Sequence, residues 1–354
     1  MSDIVLYVKM GSTATITNSM LPQGWGYSLI KQVSVRYGSS AQYFFTGEQI
    51  YLQNLVDAED AVKRDQLASL GGNALANASL VAAVNPEAYL YLNLPHNSPR
   101  ADGKPLPFPS DLLVQPIIIT IELNPVSSIF VSDGGGAATN VPTALAQAEL
   151  QVKQEMMSDS ADLLARRVDM NTHAYTYPLK YFPQQEVQIQ LQNTAAPQSV
   201  NLTGFRAGEV RNILLWLTKA SDVTANGSHY WAQPEDIQLT YNGEIFYRAD
   251  SASSQIWNLI CDTKSAGVNT FAAAGGPPET WATNVLAPWI DIPFAQVNVP
   301  YDKEVKLVHG KPILNAVVNL TLTTPAAAAD WTLHAVYLYN SSLLCSRGGA
   351  EYVF

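Results

Sequence analysis

The side chains best suited to bind a metal or to transfer a proton are scattered through this sequence. Its histidines lie far apart, at His96, His173, His229, His309 and His334. A metal-dependent cupin enzyme needs closely spaced histidines followed by a glutamate, because several ligands must converge on one ion. The sequence holds no such cluster. We therefore predict no metal site and expect each histidine to lie on the surface or to be hydrogen-bonded in the core.

Cysteine and glycine are the next candidates for chemistry. Cys261 and Cys345 both lie in apolar, strand-like surroundings, which favours two buried thiols of a protein made in a reducing compartment over a disulfide. The triplet Gly134–Gly136 lacks the Lys-Ser/Thr that a phosphate-binding loop requires. We interpret this triplet as a flexible loop.

Neighbouring carboxylates occur at Glu59-Asp60 and at Glu235-Asp236, in helix or turn contexts where solvation is the simplest interpretation. A pair of catalytic acids could still meet only in the folded protein. From the sequence we predict no catalytic residue, no cofactor-binding residue and no metal ligand, and we expect that the chain is not an enzyme.

Tryptophan could serve a binding function, because aromatic faces stack on sugars. Trp216 and Trp331 lie in apolar runs and are expected in the core. Trp231, Trp281 and Trp289 are expected in loops, where packing, a subunit contact and a ligand contact all remain open.

The composition argues against several classes of partner. Charged residues make up only 14% of the 354 residues, and the net charge is −10 without a cluster of Lys or Arg. A nucleic-acid-binding protein needs a basic surface, so no direct nucleic-acid binding is expected. The N-terminal residues lack the pattern of a signal peptide, and the most apolar run, Ile117–Leu123, is far shorter than the roughly 20 residues of a membrane helix. So few charges favour extensive contacts with copies of the same chain.

Period-2 alternation of apolar residues dominates the sequence and predicts an all-β protein with long loops. The predicted strands are Leu29–Tyr37, Gln42–Phe45, Tyr89–Leu94, Gln115–Leu123, Glu149–Met156, Val187–Gln192, Ile213–Thr218, Ile237–Tyr241, Glu244–Arg248, Val305–Val308, Leu314–Thr323 and Thr332–Tyr339. Helices are predicted at Gln53–Leu70 and Ser158–Val168. The 21 glycines and 21 prolines are spread through the chain, as turns between short strands require.

The strongest local signal is the dipeptide Asn242-Gly243 between two alternating runs. A type I′ turn needs positive φ at both central residues, and Asn followed by Gly adopts that conformation most readily. The sequence therefore predicts a β-hairpin here.

The hairpin also reveals an internal repeat. Residues Val33–Val56 resemble Ile237–Ile260, with Tyr37 matching Tyr241 at an offset of 204 positions. Further along, Leu112–Leu123 resembles Pro312–Thr323 at an offset of 200 positions. Matched segments in the same order predict two copies of one strand topology, joined between Tyr175 and Pro197.

Several segments together resemble a known family. They are WGYSLIKQVSVRYGSSAQYFFTGEQIYLQNLV, AYLYLNLP, LPFPSDLLVQPIIITIEL, AELQVKQEMMSDSADLLARRV, GEVRNILLWLTK, EDIQLTYNGEIFYRAD and VYLYNSSLLCSRGGAEYVF. In this order they resemble the double jelly-roll major capsid proteins of nucleocytoplasmic large DNA viruses, virophages and lipid-containing tailless phages.

This resemblance implies two tandem eight-stranded jelly rolls, residues 1–183 and 184–354, with short helices in loops. It implies a structural protein of the virion, made in the host-cell cytoplasm, that forms homotrimers as pseudo-hexagonal capsomers of an icosahedral shell of a double-stranded DNA virus. The expected partners are neighbouring capsomers, penton and minor capsid proteins, and an internal viral membrane. No cofactor is expected.

Two other interpretations stay open. One is a non-enzymatic β-sandwich that binds carbohydrate or a receptor, as a spike or fibre does. The other is a cupin-type enzyme.

Overall fold

The structure is a computed structural model, and most of the chain can be described from it. The described residues are 3–57, 61–94, 113, 115–132, 138–153, 161, 164–165, 168–169, 173–178, 182–184, 186–194, 196–219, 231–232, 236–250, 289–294, 311–312, 316–324, 330–346 and 348–353.

Strands account for most of these residues. In chain order they are β1 (Ile4–Met10), β2 (Ser19–Met20), β3 (Ile30–Tyr37), β4 (Gln42–Phe45), β5 (Glu87–Tyr91), β6 (Ile117–Leu123), β7 (Val131–Ser132), β8 (Leu145–Val152), β9 (Tyr175–Pro178), β10 (Phe182–Pro183), β11 (Val187–Leu191), β12 (Gln198–Leu202), β13 (Glu209–Lys219), β14 (Trp231–Ala232), β15 (Asp236–Tyr241), β16 (Glu244–Asp250), β17 (Trp289–Pro293), β18 (Lys311–Pro312), β19 (Val318–Leu322), β20 (Trp331–Tyr339), β21 (Ser342–Ser346) and β22 (Gly349–Val353).

Short helices lie between the early strands. They are α1 (Trp25–Ser28), α2 (Gly47–Asp57), α3 (Ala61–Leu70), α4 (Asn77–Ala83) and a 3₁₀ turn at Val126–Ile129. Within the described residues, none of the helices is long and apolar enough to cross a bilayer.

The second half of the chain forms an eight-stranded jelly roll. One sheet has the order β11-β20-β13-β17 and the other has the order β12-β19-β15-β16. All neighbours in both sheets are antiparallel. The eight main strands of this half can be numbered 1 to 8 in chain order: β11, β12, β13, β15, β16, β17, β19 and β20. In these numbers the two sheets have the orders 1-8-3-6 and 2-7-4-5, which is the strand order of a jelly roll.

The first half repeats this topology with a shorter set of strands. Its two sheets, β5-β1-β8 and β4-β3-β6, correspond to positions 6-3-8 and 5-4-7 of the second roll. The chain therefore folds as two jelly rolls in tandem, as the sequence predicted. Among the described strands, those of the first roll fill positions three to eight. The boundary between residues 183 and 184 stays a prediction.

The structure corrects one detail of the predicted repeat. Tyr37 lies opposite Ile117 in the first roll, and Tyr241 lies opposite Val318 in the second. The equivalent of Ile117 is thus Val318, at an offset of 201 positions. The predicted match of Leu112–Leu123 with Pro312–Thr323 has an offset of 200 positions and is therefore wrong by one residue. Because side chains alternate with a period of two along a strand, a shift of one residue exchanges its inward and outward faces.

The Asn242-Gly243 turn is confirmed. Tyr241 pairs with Glu244, which leaves a two-residue loop, and φ is 51° at Asn242 and 86° at Gly243. Positive φ at both central residues is the requirement of a type I′ turn.

Two hydrophobic cores lie side by side, and strands β13 and β20 belong to both. Ile213 and Tyr337 face the core of the second roll, whereas Leu214 and Val336 face the core of the first. Because both faces of β20 are covered, all nine of its residues are buried. This explains why its sequence, WTLHAVYLY, is nearly continuously apolar.

The C-terminal hairpin β21–β22 packs with the first roll even though it follows the second in sequence. The ring of Tyr352 contacts those of Tyr37, Tyr43 and Phe182. Gly349 forms a bridge with Gly38. A Cβ on Gly349 would lie 2.5 Å from the carbonyl oxygen of Tyr37, so only glycine allows this approach.

Some local predictions were wrong. The helix expected at Gln53–Leu70 begins earlier, at Gly47, and its last residue, Leu70, is 49% exposed. Trp231 and Trp289, expected in loops, begin strands β14 and β17. Strand β1 was not predicted, although its sequence IVLYVKM is rich in β-branched and aromatic residues.

Candidate functional site

The structure separates the residues considered for chemistry. His173 is exposed and its Nδ1 lies 3.1 Å from Oδ1 of Asp169. Cys345 is a buried free thiol, as predicted, and burial raises its pKa to about 12. Asp236 begins β15 with an exposed side chain. Trp216 and Trp331 lie in the core, as predicted.

The other candidates lie outside the described residues. They are His96, His229, His309, Cys261, Trp281, the Gly134–Gly136 triplet, Glu59-Asp60 and Glu235.

His334 is different, because it lies at the centre of a buried polar network. On β20, its Nδ1 lies 2.5 Å from Oε1 of Glu186, and its Nε2 lies 2.6 Å from Oγ1 of Thr218 on β13. The indole ring of Trp216 stacks on the imidazole, with ring centroids 5.0 Å apart. The sequence had predicted a surface or hydrogen-bonded core histidine, and His334 is the latter.

The first roll contributes the rest of the network through the start of α2. The hydroxyl of Thr46 donates a hydrogen bond of 2.6 Å to Oε2 of Glu186. The side-chain amide of Gln49 donates to the carbonyl oxygen of Gln184 and accepts from the backbone N–H of Glu186. The two rolls are thus joined through hydrogen bonds to Glu186 and to the backbone of Gln184.

A second contact crosses the same junction. Trp216 Nε1 donates a hydrogen bond of 2.9 Å to Oε1 of Glu48. The indole therefore touches the imidazole of the second roll with its face and a carboxylate of the first roll with its edge.

The network holds a charged pair. Burial opposes the charged form of His334, but the carboxylates of Glu186 and Glu48 outweigh it, and the pKa of His334 is raised. Burial likewise opposes ionisation of Glu186, yet His334 and the donors Thr46 and Gln188 hold its pKa below the usual value. An imidazolium facing a carboxylate that accepts three side-chain hydrogen bonds is the consistent state.

The order hydroxyl, imidazole, carboxylate is also that of a catalytic triad. A nucleophile must meet its substrate, however, and both Thr218 and His334 are at least 97% buried. The arrangement suits a cross-link between the rolls, in which the two charges satisfy each other and their hydrogen-bond partners.

Metal binding gains no support here. Within the part of the chain that the structure describes, no three side chains of His, Cys, Asp or Glu come close enough to hold an ion.

We predict that this pair makes stability depend on pH. Because the pKa of His334 is raised on folding, its contribution is complete below the unfolded value of about 6.5 and is lost as pH rises through the folded value. The free energy of unfolding, measured by urea titration from pH 6 to pH 9, should therefore fall more steeply with pH in the wild type than in His334→Gln. Equal slopes would contradict the charged pair.

Sequence reasoning missed Glu186 and Thr46. Both are ordinary polar residues in sequence, and only the folded chain brings Thr46, just before α2, and Glu186, just before β11, to His334. A carboxylate directly before the alternating strand Val187–Leu191 was the one available hint.

Comparison with known proteins gives a likeness of fold. No family profile and no curated protein sequence matches the chain. Among solved structures, the PBCV-1 virus capsid chain aligns with a TM-score of 0.58 and 11% identity, over 100% of this chain and 89% of that chain. The Faustovirus major capsid protein aligns with a TM-score of 0.55 and 9% identity, over 100% and 85%. The mavirus major capsid protein aligns with a TM-score of 0.52 and 9% identity, over 100% and 84%. The shared fold is the double jelly roll.

Proposed function

We propose that this chain is the major capsid protein of an icosahedral double-stranded DNA virus, and that it assembles as homotrimeric capsomers. The observation that carries the proposal is the pair of jelly rolls with one strand order in a single chain. The same architecture extends over the whole of this chain in the alignments with the PBCV-1 and Faustovirus capsid proteins.

The presence of two jelly rolls in one chain explains how a trimer can have a hexagonal outline. Two similar rolls side by side present two similar corners, so three subunits around an axis present six. A trimer can then tile a hexagonal lattice. Threefold symmetry requires that one face of a subunit meets a different face of the next, which two non-identical rolls can supply.

The amino-acid composition supports self-association. With only 14% charged residues, the chain can bury large areas against copies of itself without desolvating many charges. Within this proposal the partners are neighbouring capsomers, penton and minor capsid proteins, and an internal viral membrane. The protein acts in the virion after synthesis in the host-cell cytoplasm, binds no nucleic acid directly and is not an enzyme.

The proposal predicts a stable trimer. Native mass spectrometry and light scattering at micromolar concentration should give three times the chain mass of 38.5 kDa. Electron microscopy of concentrated protein should then reveal hexagonal arrays.

A monomer at every concentration would contradict the proposal. Glycan or receptor binding by that monomer would favour the spike-type alternative. Two of the three tryptophans on which that alternative drew, Trp231 and Trp289, begin strands.

A further inference from the structure

The two jelly rolls differ in what covers the outer face of one sheet. In the second roll, the outward side chains of β13 and β20 include Leu214, Trp216 and Val336. These are at most 1% exposed, because the first roll packs against them. The corresponding sheet of the first roll is β5-β1-β8. Comparing the two outer faces therefore indicates what each roll presents to a neighbour.

Alternation along β1 decides which side chains of this sheet point outward. The inward residues of β1 lie in the core of the first roll, and they are Ile4, Leu6, Val8 and Met10. The residues between them point outward. Tyr7 lies opposite Tyr89 of β5 and Glu149 of β8, and Lys9 lies opposite Glu87. These five residues define the outer face of the first roll.

Two tyrosines form the centre of this face. The rings of Tyr7 and Tyr89 lie 4.9 Å apart, and Tyr89 is 42% exposed. Tyrosine is enriched at protein interfaces, because its ring buries a large area while its hydroxyl can keep a hydrogen bond. The pair is therefore suited to anchor a partner that covers the face.

Charges near the tyrosines compensate each other. Lys9 Nζ lies 2.8 Å from Oε1 of Glu87, and Lys153 Nζ lies 3.5 Å from Oδ2 of Asp3. A partner that covers this sheet meets paired charges, and burial of a paired charge costs less than burial of an isolated one. An aromatic centre with a polar border is also the usual anatomy of a protein interface.

The second roll indicates which partner fits. Its corresponding face is covered by a jelly roll of the same sequence. In the proposed trimer, on which this inference rests, three chains supply six rolls in a ring with six contacts between rolls. Three of these contacts lie within chains. Threefold symmetry makes the other three identical and heterologous, so each joins the first roll of one copy to the second roll of the next.

We propose that the outer face of the first roll is the docking surface for the second roll of another copy of this chain. The two tyrosines provide the buried centre of the contact. The outward residues of β13 and β20 make the equivalent contact within each chain.

Tyr89→Arg tests this surface. The substitution places an unpaired charge at the centre of the face, and we expect the concentration at which half of the chains are trimeric to rise roughly 30-fold or more. Native mass spectrometry over a dilution series measures the shift. The matched control is Ile118→Arg on the outward side of β6, because Ile118 is also 42% exposed. This control should leave the trimer unchanged.

Photo-crosslinking locates the partner surface in a chain that keeps an aromatic group at position 89. With p-benzoylphenylalanine in place of Tyr89, we expect a product of twice the chain mass on denaturing electrophoresis. Peptide mass spectrometry should place the links within residues 187–339 of the other copy, from β11 to β20. The same group in place of Ile118 should give no such product. This readout decides the question even if Tyr89→Arg fails to fold.

Three results would overturn the docking surface. A trimer that tolerates Tyr89→Arg as well as Ile118→Arg would remove it and leave the proposed function intact. Links from position 89 to the first roll of the other copy would do the same, because the contact would then join two identical rolls. A wild-type chain that is monomeric at every concentration would overturn the proposed function, and the docking surface with it.

Discussion

Glu186→Ala is expected to lower the free energy of unfolding by about 3–5 kcal/mol, the usual cost of removing one partner from a buried ion pair. The substitution leaves the imidazole of His334 without its carboxylate and removes the acceptor of Thr46. Urea denaturation of both proteins at pH 6 measures the difference.

The matched control is Glu122→Ala. Glu122 also forms an ion pair, with Lys31, but its side chain is 54% exposed. Solvent-exposed pairs contribute about 0–1 kcal/mol, so this variant should unfold close to the wild type. If Glu186→Ala costs no more than Glu122→Ala, the buried network does not hold the rolls together.

Trp216→Ala should cost about 3–5 kcal/mol, the range for truncating a fully buried large aromatic side chain. The side chain is completely buried, packs in the core of the first roll and stacks on His334. We expect hydrogen exchange to accelerate on both sides of the junction, in α2 as well as in β20.

Trp216→Phe separates packing from hydrogen bonding. Phenylalanine keeps an aromatic ring beside His334 but cannot donate to Glu48, a bond to a charged group worth about 1.5–3 kcal/mol. A loss confined to β13, with α2 unaffected in both variants, would show that the indole serves the second roll alone.

The sequence predicted the fold well where alternation was local. The hairpin at Asn242-Gly243 and the strand Gln42–Phe45 follow from turn chemistry and period-2 patterning, and the structure has both. The repeat was visible because equivalent strands keep similar apolar patterns, but its register in β6 was misjudged by one residue, since isoleucine occupies both faces there.

The polar network between the two rolls could not be predicted from local sequence patterns. Thr46, Glu186 and His334 are far apart in sequence, and each is unremarkable in its own segment. Their association depends on the packing of α2 against a sheet formed by strands more than a hundred residues away, and no local pattern encodes that arrangement.

The position of Tyr352 has a consequence for how the protein is made. Its ring completes an aromatic cluster with Tyr37 and Tyr43, yet 309 residues separate Tyr43 from Tyr352. At a synthesis rate of about 5–20 residues per second, the ribosome needs roughly 15–60 s to cover that distance. Throughout that interval the nascent first roll exposes the apolar surface that Tyr352 later covers, and prematurely terminated chains cannot complete this core.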